Sequence, residues 1–177
     1  MFSFRYFDYT KLKSQLANII TLFNLSLGII AILLVLQGHA HMSLMFIFFA
    51  ALFDRFDGMV ARHYHAESAF GKELDSLSDL VSFGVAPAIL LYDTALTDTM
   101  WIGLSAVIFY ILAGAVRLAR YNVEEFDGSY YGLPITAAGV LLTLSYFVVP
   151  YLIAPYFVIY MCILAWLMVS RIRIAKV

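Results

Sequence analysis

The chain has 177 residues, of which 63% are hydrophobic and 13% charged, with a formal net charge of −1. Its mean hydropathy is +0.89. A soluble domain carries nearer 25% charged residues, so this composition excludes an ordinary water-soluble fold and points to one integral membrane domain. The single cysteine, Cys162, excludes a disulfide within the chain and reads as a small buried hydrophobe. No secretory signal peptide is expected, because the first apolar run is of spanning length and lacks a small-residue cleavage site.

In chain order, residues 1–16 place Phe2, Tyr6, Tyr9, Leu12 and Leu16 at helical spacing beside Arg5, Lys11 and Lys13. That pattern predicts an amphipathic helix lying in the membrane interface. Ala17 to Gln37 is uncharged and long enough for about 30 Å of hydrocarbon. Asn18, Thr21 and Asn24 fall on one side of it, a pattern that also serves helix–helix hydrogen bonding. After a short turn at 38–41, a second span is predicted from Met42 to Arg62, and a third from Phe70 to Tyr92 with a kink at Pro87. Residues 93–98 turn again. Thr99 to Val116 makes the fourth span, prolonged by Arg117 and Arg120, and 122–129 is a polar loop. Residues 129–170 carry no charge and read as two spans broken at 150–155.

The expected fold is therefore an all-α membrane protein, with six transmembrane helices in residues 17–177 preceded by the interfacial helix 1–16. Every Lys and Arg falls on the side of the two termini: Arg5, Lys11, Lys13, Arg55, Arg62, Lys72, Arg117, Arg120, Arg171, Arg173 and Lys176. The turns at 38–41, 93–98 and 150–155 contain none. The positive-inside rule then places the termini in the cytoplasm. His63 and His65 read as solvated loop residues, and His39 and His41 on the far side as incidental. Tyr92, Trp101, Tyr151 and Tyr156 fit an aromatic belt on the outer face.

Four carboxylates interrupt this apolar pattern: Asp54, Asp57, Asp75 and Asp79. An acid near the middle of a membrane helix costs about 2.5–3.5 kcal/mol on insertion scales and marks a functional site by default. Spacings of three and four residues put each pair on one helical face. Like charges this close repel unless cations bind between them. All-oxygen ligands with no cysteine nearby favour a hard divalent ion, Mg²⁺ or Mn²⁺. Gly58, Ala61 and Gly71 leave room for a ligand beside the backbone.

The stretch D-R-F-D-G-M-V-A-R, eight residues, then G-K-E-L-D-S-L-S-D, resembles the signature of the CDP-alcohol phosphotransferases, D-x-x-D-G-x-x-A-R-x8-G-x-x-x-D-x-x-x-D. Asp54, Asp57, Gly58, Ala61, Arg62, Gly71, Asp75 and Asp79 match every fixed position. The likeness covers roughly Asn18 to Gly139. Three flanking stretches look like one branch, the phosphatidylserine synthases: S-F-G-V-A-P-A (82–88), A-G-A-V-R-L-A-R-Y-N (113–122) and G-L-P-I (132–135). Thr136 departs from a proline common in that branch.

The resemblance implies transfer of a phosphatidyl group from CDP-diacylglycerol to the hydroxyl of L-serine, with release of CMP. It implies two cations held by Asp54, Asp57, Asp75 and Asp79, with Asp79 also the general base. It sets Asn18, Thr21, Gly58, Ala61, Arg62, Ser68 and Gly71 around the CDP-lipid. It also implies a homodimer in which each protomer keeps its own site. Arg117 and Arg120 can pair with a serine carboxylate, or can serve only as positive-inside residues. No nucleic-acid partner is expected. Competing readings are a sibling transferase using glycerol 3-phosphate or inositol phosphate, an archaeal ether-lipid donor, a cation transporter or channel, and a structural membrane protein. The channel reading needs a charged path to the far side, and the sequence places none there.

Overall fold

The computed structural model describes residues 9–63, 68–123 and 130–174. Helix α1 (Tyr9–Leu36) passes without a break through residues 16 and 17, so the described part of the amphipathic stretch and the first apolar run form one helix. It ends at Gly38, whose φ of +78° is a left-handed conformation that glycine adopts freely. Helix α2 (Ala40–His63) returns alongside it.

The next rod spans Ala69–Thr99. It comprises α3 (Ala69–Asp79), a π-helical turn (Leu80–Val85), α4 (Ala86–Leu91), a second π turn and a short 3₁₀ turn. Then follow α5 (Trp101–Val123), α6 (Ile135–Leu144) with a 3₁₀ extension to Tyr151, and α7 (Ala154–Val169). Two short segments, β1 (Tyr130–Tyr131) and β2 (Arg173–Ile174), pair antiparallel.

Among the described residues, three helical stretches are long and apolar enough to cross a membrane: Ala17–Leu36, Ala69–Thr99 and Trp101–Val123. Ile135–Tyr151 and Ala154–Val169 are apolar but shorter. The last turns of α2 carry Asp54, Arg55, Asp57 and Arg62, which dilute an otherwise apolar helix. Leu27, Phe83, Leu91, Tyr110, Leu142, Phe157 and Met161 belong to one buried cluster, and Ala31, Val35, Leu44, Ile47 and Leu90 to a second. Leu33, Phe109, Leu112, Ile159 and Trp166 are exposed, as a lipid-facing surface requires. Cys162 corrects the sequence reading: it is exposed, not buried. Helix α7 is apolar all round, so its pattern does not say which face turns inward.

The rod accommodates Pro87 without a chain break. Proline has no N–H for the carbonyl four residues back, that of Phe83. The π turn lies just before it, so Ala86 N–H donates to Val81 O, five residues back. The hydroxyl of the fully buried Tyr110 donates to Phe83 O at 3.2 Å. Helix α6 presses on the same spot, where a Cβ on Gly139 would sit 2.7 Å from Phe83 O. Tyr110→Phe should therefore fold but lose about 1–2 kcal/mol, since it leaves a buried carbonyl without that donor. An unchanged midpoint in reversible detergent–SDS unfolding would contradict this role for Tyr110.

At the far end of the bundle, His41 Nδ1 and Tyr146 Oη are 2.5 Å apart, with their rings edge to face. His41 thus ties α2 to the α6 extension.

Candidate active site

The acids come together as the sequence suggests. Asp54 from α2 meets Asp75 and Asp79 from α3, with one carboxylate oxygen of each within 4.8 Å of the others. Asp75 and Asp79 share a face because they are four residues apart on a continuous helix. Asp54 and Asp79 lie within side-chain hydrogen-bonding reach. Asp79 is 9% exposed, while Asp54 and Asp75 are partly buried. Three carboxylates from two helices, all oxygen donors, fit a hard divalent cation. Asp57, Gly58, Ala61 and Arg62 lie on the last turns of α2, but their side chains fall outside the described residues.

The sequence matches the CDP-alcohol phosphatidyltransferase family over residues 14–172. The chain belongs to that family. It is 41% identical over 156 residues to the CDP-diacylglycerol–serine O-phosphatidyltransferase of Bacillus subtilis (strain 168), covering 87% of this chain and 86% of that protein. A protein of the same name from Methanocaldococcus jannaschii is 42% identical over 127 residues, covering 72% of this chain and 58% of that one. The archaetidylserine synthase of Methanothermobacter thermautotrophicus is 40% identical over 134 residues, covering 74% and 57%.

Around this family's acids, α1 supplies the opposite wall. A Cβ on Gly71 would stand 3.0 Å from both Asn18 Oδ1 and Ser68 Oγ, so these three sequence-predicted residues converge and glycine keeps the space open. Ser68 is the N-cap of α3 and accepts the Gly71 N–H at 3.0 Å. Thr21 is buried and its hydroxyl donates to Ala17 O at 3.1 Å. Two serines fasten the wall: Ser78 Oγ donates to Thr21 O and Ser82 Oγ to Asn24 O, each at 3.2 Å. Gly28 allows the approach, since a Cβ there would lie 2.9 Å from Ser82 Cα. Asn24 is fully buried, and its side-chain amide has no hydrogen-bond partner among the described residues.

The two arginines of α5 have different surroundings. Arg117 is partly buried and lies within electrostatic reach of Asp79, and its Nε has no partner among the described residues. Arg120 donates from Nη1 to Val169 O at 2.9 Å, on the last turn of α7. Cations are favoured at helix C-termini, so this contact ties α5 to α7. Gly132 joins the same junction. Its φ is +71°, a Cβ would lie 2.6 Å from Met168 O, and its N–H donates to Ile172 O.

Sequence reasoning missed the contacts between α3 and α5. Lys72 Nζ donates to Tyr121 O at 3.4 Å and to Asn122 O at 3.3 Å, and lies 5.3 Å from the centre of the Tyr121 ring. Asn122 Nδ2 donates to Ser76 Oγ at 3.0 Å. Lys72 and Ser76 are four residues apart, as are Arg117 and Tyr121, and that shared spacing was the available signal.

Proposed function

We propose that this protein transfers the phosphatidyl group of CDP-diacylglycerol to the hydroxyl of L-serine, giving phosphatidylserine and CMP. The observation that carries the reading is the Asp54–Asp75–Asp79 cluster inside a membrane bundle of this family. Asp54, Asp57, Asp75 and Asp79 would hold divalent cations, Mg²⁺ or Mn²⁺ and two per site. Bound there, such ions would neutralise the diphosphate and the charge that builds on the leaving CMP.

The chain's own residues do the rest. Asn18, Thr21, Gly58, Ala61, Arg62, Ser68 and Gly71 shape the CDP-lipid side. Asp79 takes the proton from the serine hydroxyl as that oxygen attacks the phosphorus bearing the lipid. The oxygen–phosphorus bond to serine forms as the bond to CMP breaks. Positioning and electrostatics supply most of the rate, with no covalent intermediate on a protein nucleophile. Six spans with both termini in the cytoplasm would bring the acids to the face where soluble serine arrives. A homodimer with one site per protomer belongs to the same reading, as the family resemblance implies.

Arg117 is the stronger candidate for the serine carboxylate, since Arg120 is engaged with Val169 O. Arg117→Lys should raise the KM for serine far more than that for CDP-lipid, because a bidentate contact does not survive the change. Equal rises in the two constants would remove Arg117 from acceptor recognition.

The relatives' names share serine and differ in the lipid. The test is therefore a panel. Purified protein is given diacyl or archaeal ether CDP-lipid with serine, glycerol 3-phosphate or inositol phosphate, and products are identified by mass spectrometry. A serine lipid with stoichiometric CMP is expected. A product from another acceptor would assign a sibling activity.

A further inference from the structure

Lys72 and Ser76 on α3 contact Tyr121 and Asn122 on α5, and this juxtaposition links the two helices that the reaction must keep in register. Helix α3 carries Asp75 and Asp79, and α5 carries Arg117. Ser76 is next in sequence to Asp75 and one turn before Asp79, so a pin at Ser76 acts on the face that bears the acids. Asn122 supplies that pin, exchanging hydrogen bonds with Ser76 Oγ: its Nδ2 donates at 3.0 Å and its Oδ1 accepts at 3.4 Å. Lys72 supplies a second tie by donating to the carbonyls of Tyr121 and Asn122 at the C-terminal end of α5, where a cation complements the helix dipole. Its ammonium also rests over the Tyr121 ring, and Tyr121 follows Arg117 by four residues on the same helix.

We propose that Ser76, Asn122 and Lys72 are positioning residues that set the distance between Asp79 and Arg117, and hence the acceptor's fit. The inference rests on the serine-transfer reading given above. It assigns these residues no contact with either substrate. The donor side is fastened separately, through Ser78, Ser82 and α1. Loosening the α3–α5 pin should therefore act on serine and spare the CDP-lipid.

The test is steady-state kinetics on the full chain in detergent–lipid micelles, with KM measured for each substrate. Ser76→Ala and Asn122→Ala should each raise the serine KM roughly three- to ten-fold, the worth of one lost hydrogen bond, with little change in the CDP-lipid KM. Ser76→Thr keeps the hydroxyl and should stay close to wild type. The double variant should be no worse than the worse single one, because both remove the same bond. Lys72→Met, which keeps the apolar stem on an exposed position, should give the same serine-selective shift if the Asn122 variants fold poorly. Equal rises in both KM values, multiplicative effects in the double variant, or a silent Ser76→Ala would overturn the positioning role. Wild-type turnover is measured first. Its absence rejects the functional reading and this inference with it, whereas flat KM values on an active wild type reject the positioning role alone.

Discussion

Asp79→Asn should lower turnover about 10²–10⁴-fold, the usual cost of losing one general base. The substitution preserves the shape of the side chain and one oxygen, but an amide cannot take the serine proton at neutral pH. Asp54, Asp57 and Asp75 would still offer carboxylates to a cation, so CDP-lipid affinity should largely survive. The environment favours this division of labour. Asp79 is the most buried acid of the described cluster and lies within electrostatic reach of Arg117, the proposed acceptor-side residue. Turnover and metal-dependent CDP-lipid binding are measured on the same preparation. If Asp79→Asn loses nucleotide binding as badly as Asp75→Asn, a separate base role has no support. Retained turnover would remove Asp79 from the mechanism.

Removal of divalent cations should abolish activity, and Asp54→Asn or Asp75→Asn should come close to the same result. Here the expected defect lies in binding: cation and CDP-lipid affinity should fall together, because Asp54 and Asp75 belong to the acid cluster and, unlike Asp79 with its proposed base role, are assigned to holding the cations alone. Losing one ligand leaves the remaining carboxylates with less compensation for their mutual repulsion and for their burial in an apolar helix pair. Excess EDTA should silence the wild type, and Mn²⁺ or Mg²⁺ in excess of chelator should restore it. Activity that persists in EDTA, or an Asp75→Asn variant with normal CDP-lipid affinity, would contradict the metal assignment.

Asp54, Asp75 and Asp79 were legible in the sequence because charge inside apolar helices is costly, and because a spacing of four residues on a helix leaves one geometry for Asp75 and Asp79. Gly71 was legible for a related reason, as a small residue one turn before Asp75, and the structure sets it against Asn18 and Ser68. A local irregularity at Pro87 was visible as a proline in an apolar run. Its solution, a π turn with Tyr110 donating to Phe83 O, was not, because it depends on a helix 27 residues away in sequence. Arg117 and Arg120 look alike in sequence, three residues apart in the same basic motif. Tertiary packing separates them, leaving one within electrostatic reach of Asp79 and setting the other onto the end of α7. Cys162 was misread because an all-apolar helix carries no amphipathic signal. The Ser76–Asn122 pin joins residues 46 positions apart, and hydroxyls and amides in membrane helices follow no pattern that names their partner.

The claim at the centre of this account is that the carboxylates of α2 and α3 hold cations for a CDP-linked lipid. Electron paramagnetic resonance of Mn²⁺ tests it without relying on turnover. Purified wild type, Asp54→Asn and Asp75→Asn are titrated with Mn²⁺ in the presence and absence of CDP-diacylglycerol. The account predicts that the free Mn²⁺ signal is depleted by the wild type, that CDP-diacylglycerol tightens this binding, and that both variants lose the depletion. Mn²⁺ binding that is indifferent to CDP-diacylglycerol, or unchanged in Asp54→Asn and Asp75→Asn, would contradict it.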